Sequence, residues 1–236
     1  WGPVTYLLLA GDFPPQVGGI QSYHSALARA LTALGREVVV IGLSQEGDTA
    51  FDATCPHAIY RVSGEGGKLA TSRRMEALGL EVARNLRAPP RGIIATKWSP
   101  ESPAALRLAR RLGVPWGVFG HDREFILTGL NPLKWAVQRY VLPRADFCFA
   151  ISQFAAANFR RRAVPPERIR MVGSGVEAET FTADPERAQA LRQQWGLGTA
   201  PVLVTVSRLV AKKGHLTVLE ALPAVRAAFP AVRYVI

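Results

Sequence analysis

Cysteine is scarce in this chain: Cys55 and Cys148 are the only two. Both sit in apolar surroundings and neither makes a metal-binding spacing. They read as reduced core thiols of a cytosolic protein, not as a disulfide framework. Long apolar runs are missing too, and none approaches the roughly 20 residues of a membrane span. Tyr6 to Ala10 is too short for a signal-peptide core and has no cationic leader. The chain opens on Trp1 instead of Met, so a processed chain is expected. Acidic residues are under-represented: 18 Asp and Glu stand against 29 Lys and Arg, for a net charge of +11. That sign suits an anionic substrate, nucleic acid or an anionic membrane surface. The bland alternative is a bias toward Arg on solvated helix faces. The first turn also lacks Gly-x-Gly-x-x-Gly, which argues against a dinucleotide-dependent oxidoreductase.

What is present alternates. Val4 to Ala10 reads as a buried parallel strand, and Ile20 to Leu31 as a helix with Ile20, Tyr23, Leu27, Ala30, Leu31 and Leu34 on its apolar stripe. Gly35 stops that helix. Strands follow at Val38–Ile41, Ile59–Val62, Gly92–Ala95, Val114–Phe119, Phe147–Ile151 and Arg168–Val172. Helices are expected over Leu69–Arg87, Pro100–Leu112, Pro132–Leu142 and from Ser152 to Arg160-Arg161-Arg162. Ser44 to Pro56 reads as loop. Ser63 to Lys68 reads as a surface loop in preference to a phosphate cradle, because the P-loop spacing is incomplete. Strict alternation predicts an α/β, Rossmann-like, doubly wound parallel sheet with right-handed crossovers. Gly18-Gly19, between the first strand and the first helix, would bring bare backbone N–H groups close to a ligand.

The pattern then changes. We place the first domain at 1–178 and a linker helix and linker at 179–200. A second Rossmann-like domain begins at 201–236. Val202 to Val206 is expected as a buried strand, Ser207 to Gly214 as a basic ligand-facing turn, His215 to Phe229 as a helix and Arg233 to Ile236 as a strand. One strand–helix–strand unit cannot build its own core, so most of that domain is expected beyond Ile236.

Phe13-Pro14-Pro15 with Gly18-Gly19, then Leu34-Gly35-x-Glu37-Val38, resembles the opening of a family 4 GT-B glycosyltransferase. Pro115 to His121, Ala145-Asp146 through Ile151-Ser152, and Glu167-Arg168-Ile169 leading to Gly175-Val176 and Phe181 follow in the family's order. Ser207 to Gly214 comes last. The resemblance implies transfer of a sugar, with retention, from a nucleotide-diphosphate donor to a glycan or lipid-linked acceptor hydroxyl. It implies that Arg208 and Lys213 contact the donor diphosphate. Two cations there would stabilise the charge that grows on the leaving group, at roughly 1.5–3 kcal/mol per charge-assisted hydrogen bond. No Asp-x-Asp motif occurs, which fits an enzyme without a metal or other cofactor. The resemblance makes His121 the catalytic polar group near the transferred sugar. Gly18, Gly19, Asp122, Ser152 and Ser174 join the substrate-binding set.

Three features qualify that picture. Asp122 stands where the family usually has Gly, and Ser174 where it has Asn. Ser152 reads first as a helix cap. The family's pair of glutamates eight positions apart is absent, so these 236 residues alone are expected to be inactive. The helix from Leu133 to Val141 is basic and aromatic. It reads as an ordinary helix packed on the sheet, with an anionic lipid surface as the alternative. The expected location is cytoplasmic, with the inner face of the membrane left open. The rival functions are a GT-B-fold epimerase or phosphorylase and a non-catalytic polyanion-binding protein. Nucleic acid is disfavoured as a partner, because the aromatics lie within strands and helices and are not interleaved with a basic stripe.

Overall fold

The computed structural model describes residues 4–129, 131–176 and 178–236. In chain order the elements are β1 (Thr5–Ala10), α1 (Gly19–Ala33), β2 (Glu37–Leu43), α2 (Asp48–Asp52), β3 (Ala58–Val62), α3 (Gly67–Asn85) and β4 (Gly92–Ala95). Next come α4 (Glu101–Leu112), β5 (Trp116–Gly120), α5 (Asp122–Gly129), α6 (Pro132–Val141), β6 (Phe147–Ala150), α7 (Gln153–Arg161) and β7 (Ile169–Met171). The last are α8 (Pro185–Gln194), β8 (Val202–Val204), α9 (His215–Ala228) and β9 (Arg233–Val235). The chain divides into two compact units, one ending at Gly175 and one beginning at Val176.

The first unit is an α/β doubly wound sheet. Its strands run in the order β3-β2-β1-β4-β5-β6-β7 and every pairing is parallel. Apolar side chains alternate through the sheet. Leu7, Leu9, Ile93, Val118 and Cys148 join α3, α4 and α7 on one face, while Leu8, Ala10, Val38 and Val40 join α1 on the other. Burial on both faces explains why these strands read as continuous apolar runs. The second unit is small: β8 pairs with β9 in parallel, with α9 between them in sequence. Among its described residues only Val232 and His215 are buried.

Several expectations need correction. Asp48–Asp52 is helical where a loop is expected; five residues are too few to show a period. Asp122–Gly129 is a helix that the sequence reading does not mark. In α1 the fully buried residues are His24, Ser25 and Ala28; Ile20, Tyr23, Leu27 and Leu31 of the expected stripe are half-buried, with Leu31 packed on the core. Leu34 and Ala30 are left exposed. Arg162 is not a solvated helix-end cation: only 2% of it is exposed. Its guanidinium donates to Gln138 and to Asn158, and lies over the Phe125 ring. Helix α6 packs on α4 and α5, and its Val141 joins the core cluster that includes Val118 and Cys148 of the sheet. It buries Gln138 and Val141 and leaves Leu133, Trp135, Val137 and Tyr140 exposed. Strand β8 is not buried, since Val204 is 62% exposed; two strands and one helix cannot cover its faces. Cys148 is a buried thiol whose pKa burial pushes up to about 12, whereas Cys55 is only half-buried, at the turn after α2.

Candidate functional site at the carboxyl edge of the sheet

Strand order locates the site. β1 leads to β2 on one side, while its other neighbour, β4, leads on to β5 away from it. Ligands of open parallel sheets bind at such a switch point, outside the carboxyl ends of the strands. Here those ends carry Gly11-Asp12 after β1, Thr96-Lys97-Trp98 after β4 and His121 after β5. Helix α1 starts beside them with Gly18 as N-cap and no side chain capping its first turn. A Cβ on Gly19 would meet nothing within 4 Å, and one on Gly18 would meet only the flexible Gln21 side chain. Packing within the protein therefore does not require these two glycines. Their missing side chains leave the first-turn amides accessible, where the helix dipole favours an anion.

Charges are buried at this edge. Glu101 is fully buried on the first turn of α4, and its Oε1 accepts from the Gly11 amide at 2.8 Å. A Cβ on Gly11 would sit 2.5 Å from that same oxygen, so only glycine lets the carboxyl in. Lys97 Nζ lies 2.6 Å from Asp12 Oδ2 and 3.8 Å from Glu101 Oε1. Burial pushes the Glu101 pKa up to about 7 against the pull of Lys97. Burial works to lower the Lys97 pKa, but Glu101 and Asp12 outweigh it and the net direction is up. Glu124 bridges two strand ends: its Oε1 accepts from the His121 amide at 3.0 Å and its Oε2 from the Trp98 amide at 3.3 Å. Burial raises its pKa to about 8, restrained by those two amides.

Two histidines meet here. His24 from α1 is fully buried and His121 is 5% exposed. Their Nε2 atoms are 2.9 Å apart. Tyr23 packs edge-on against both rings, at 5.2 and 6.2 Å between centroids, and Phe119 lies edge-on to His24 at 5.1 Å. Burial drives the His24 pKa down to about 3, helped by His121, and burial also lowers the His121 pKa. The Thr96 carbonyl works against burial at both rings. Next to the pair, the Ser152 hydroxyl donates to Asp122 Oδ1 at 2.5 Å and accepts from the Ala155 amide at 3.0 Å. Among the described residues, no group of three or more His, Cys, Asp or Glu is placed to hold a metal ion.

Residues 18–175 match the glycosyl transferase 4-like domain. The chain belongs to the glycosyl transferase 4-like family. Its relatives include a GDP-mannose-dependent alpha-(1-6)-phosphatidylinositol monomannoside mannosyltransferase of Mycolicibacterium smegmatis, 30% identical over 227 residues. That match takes in 95% of this chain and 58% of the relative. A second relative, an alpha-D-kanosaminyltransferase of Streptomyces kanamyceticus, is 27% identical over 168 residues, 66% of this chain and 42% of its own length. In fold the chain is similar to Anabaena HepE, solved in complex with UDP and glucose, with a TM-score of 0.77 and 17% identity over 98% of this chain and 60% of that one. The chain thus spans about three fifths of the length of the mycobacterial relative and of HepE.

The sheet edge brings together part of the sequence-derived set for this family 4-like chain. Gly18 and Gly19 open α1, His121 pairs with His24, and Asp122, next to it in the chain, accepts from Ser152. Ser152 caps α7, as expected, and holds Asp122 with the same hydroxyl. Ser174 is exposed in the segment after β7, the edge strand. Arg208 and Lys213 lie in the second unit with exposed side chains. The part of Arg208 that is held is its carbonyl, 3.1 Å from His215 Nε2. Sequence reasoning missed His24, Lys97, Glu101 and Glu124. Lys97 had a usable signal, its place just past a strand ending at Ala95. The other three sit in helices, and only the strand order brings them to the site.

Proposed function

We propose that this chain forms the acceptor side and the start of the donor side of a glycosyltransferase. In this reading a sugar passes from a nucleotide-diphosphate donor to an acceptor hydroxyl, with retention and without a metal ion or other cofactor. The observation that carries it is the buried His121, with Asp122 and Ser152, at the carboxyl edge of a doubly wound sheet in a family 4-like chain. His121 acts as the polar group at the transferred sugar. The open first turn of α1, with Gly18 and Gly19, offers amides to phosphate or acceptor oxygens. Arg208 and Lys213 counter the charge developing on the departing diphosphate. Ser174 contributes a polar contact.

The mycobacterial relative supports GDP-mannose as donor and a phosphoinositol glycolipid as acceptor. A lipid-linked acceptor also gives a use to the exposed Leu133, Trp135 and Tyr140 of α6. Arg139 and Arg144 lie over the Trp135 and Tyr140 rings, and such a surface suits an anionic membrane. The working place would then be the inner membrane face.

Isothermal titration of the intact protein with GDP-mannose and UDP-glucose tests the reading. Binding of one donor, weakened about tenfold or more in Arg208→Ala and Lys213→Ala, is the expected outcome. No binding to either, or binding indifferent to both substitutions, overturns it. The anomeric configuration of the product decides retention. Epimerised donor formed without any acceptor would favour the epimerase alternative.

A further inference from the structure

We propose that His24 is a positioning residue for His121. It donates its Nε2 proton across the 2.9 Å gap, so that His121 carries its own proton on Nδ1 and offers it as a hydrogen-bond donor to the ligand. Nothing in the apolar stripe read from the sequence marks His24 for this.

Two imidazole nitrogens at 2.9 Å form a hydrogen bond only if one carries a proton and the other a lone pair. Both rings are kept neutral, because burial disfavours the charged form at each. The pair therefore holds one bridging proton, and the question is whose it is. His24 Nδ1 is buried without a hydrogen-bond partner among the described residues. The Thr96 carbonyl acts on both rings and so does not by itself assign the proton; if His24 were the acceptor at Nε2, its own proton would sit on Nδ1, a buried atom that forms no hydrogen bond among the described residues. A buried donor left unmatched costs more than a lone pair left unmatched. The proton therefore belongs on His24 Nε2. His121 then accepts at Nε2, and a neutral imidazole that accepts there has its proton on Nδ1.

The assignment has a chemical consequence. His121 is not a general base in this state; its remaining nitrogen is a donor, fit for a sugar hydroxyl oxygen or a phosphate oxygen. The rings of Tyr23 and Phe119 keep the two imidazoles from turning away. His24 also lies on the helix that begins at Gly18, so one hydrogen bond ties the α1 terminus to the end of β5. That a ligand oxygen stands at His121 rests on the glycosyltransferase reading; the assignment of the protons does not.

The test is the tautomeric state itself, read from two-bond proton–nitrogen correlation spectra of the intact protein labelled with nitrogen-15 histidine. The expected spectrum shows His24 protonated on Nε2 and His121 on Nδ1. In His24→Phe, which fills the space without a proton to give, His121 shifts to the Nε2–H form. In His24→Gln, whose amide N–H can reach the same lone pair, the Nδ1–H form returns. A wild-type His121 protonated on Nε2, or an Nδ1–H form unmoved by His24→Phe, overturns the proposal. If the Phe variant does not fold, the wild-type spectrum decides alone. Where sugar transfer is measurable, kcat falls about tenfold in His24→Phe with KM little changed, and His24→Gln recovers it. Tautomers as stated in a protein with no transferase activity would leave the positioning intact and remove only the reaction.

Discussion

At the residue scale the site is defined by what burial does to charge. Glu101 is fully buried and its pKa is raised from 4.5 to about 7. Between those values the folded form keeps a proton that the unfolded chain has released. Stability therefore falls as pH rises through that window and levels off above it. His24 slopes the other way: its pKa is lowered from 6.5 to about 3, so stability is lost as pH falls through that range. Glu101→Gln removes the first slope and keeps an acceptor for the Gly11 amide. Between about pH 5 and about pH 8 the wild type should lose about 2 kcal/mol relative to this variant, as read from urea midpoints. Parallel curves for the two proteins would mean that Glu101 is ionised when folded. His121 and Ser152 were legible in the sequence because each directly follows a strand. Glu101 was not: after Pro100 it reads as an ordinary first-turn acid on a helix. Its burial comes from Gly11, far away in the chain.

At the element scale helix ends follow single residue types and helix facing does not. Gly113 caps α4 in the left-handed conformation, Asp184 caps α8 by accepting from the Arg187 amide, and Asn131 caps α6 in the same way. Each is a local signal carried by one residue type. Which face a helix buries depends on what it lands on. α1 lands with Ser25 and Ala28 inward, a choice its large apolar residues do not announce. Ser152 combines both kinds of information, since one hydroxyl caps α7 and holds Asp122. Ser152→Ala should cost about 1 kcal/mol for the cap and release Asp122 as well. Ser152→Thr should restore both contacts. Ser152→Asp should restore only the cap, because it sets a carboxylate against Asp122. Thermal melts order the three variants, and equal melting of Ala and Thr would show that the hydroxyl does neither job.

At the scale of the molecule, the apolar core belongs to the first unit. Both hydrophobic clusters lie before Gly175. Residues 1–175 expressed alone should give a single cooperative urea transition, and residues 176–236 alone should give none. A sloping, non-cooperative transition for the larger piece would show that it depends on the rest of the chain. The alternation of strands and helices made this architecture legible, because parallel pairing needs a crossover each time. The order of the strands was not legible, and it is the order that sets Lys97 and His121 near the start of α1.

That order also schedules folding. β1 precedes the other strands of its sheet in the chain yet lies inside the sheet, with Tyr6 opposite Val38 on one side and Gly92 on the other. As the chain emerges during synthesis, β2 and β3 can join β1 early, while its other edge waits for β4. Until then the strand edge that will border the ligand cleft is an unpaired, apolar hazard, open to pairing with another chain. The long non-local closure between β1 and β4 is the slow, aggregation-exposed step of such a topology. The strand order that sets the candidate site at the sheet edge thus also leaves one side of β1 unpaired until β4 is made.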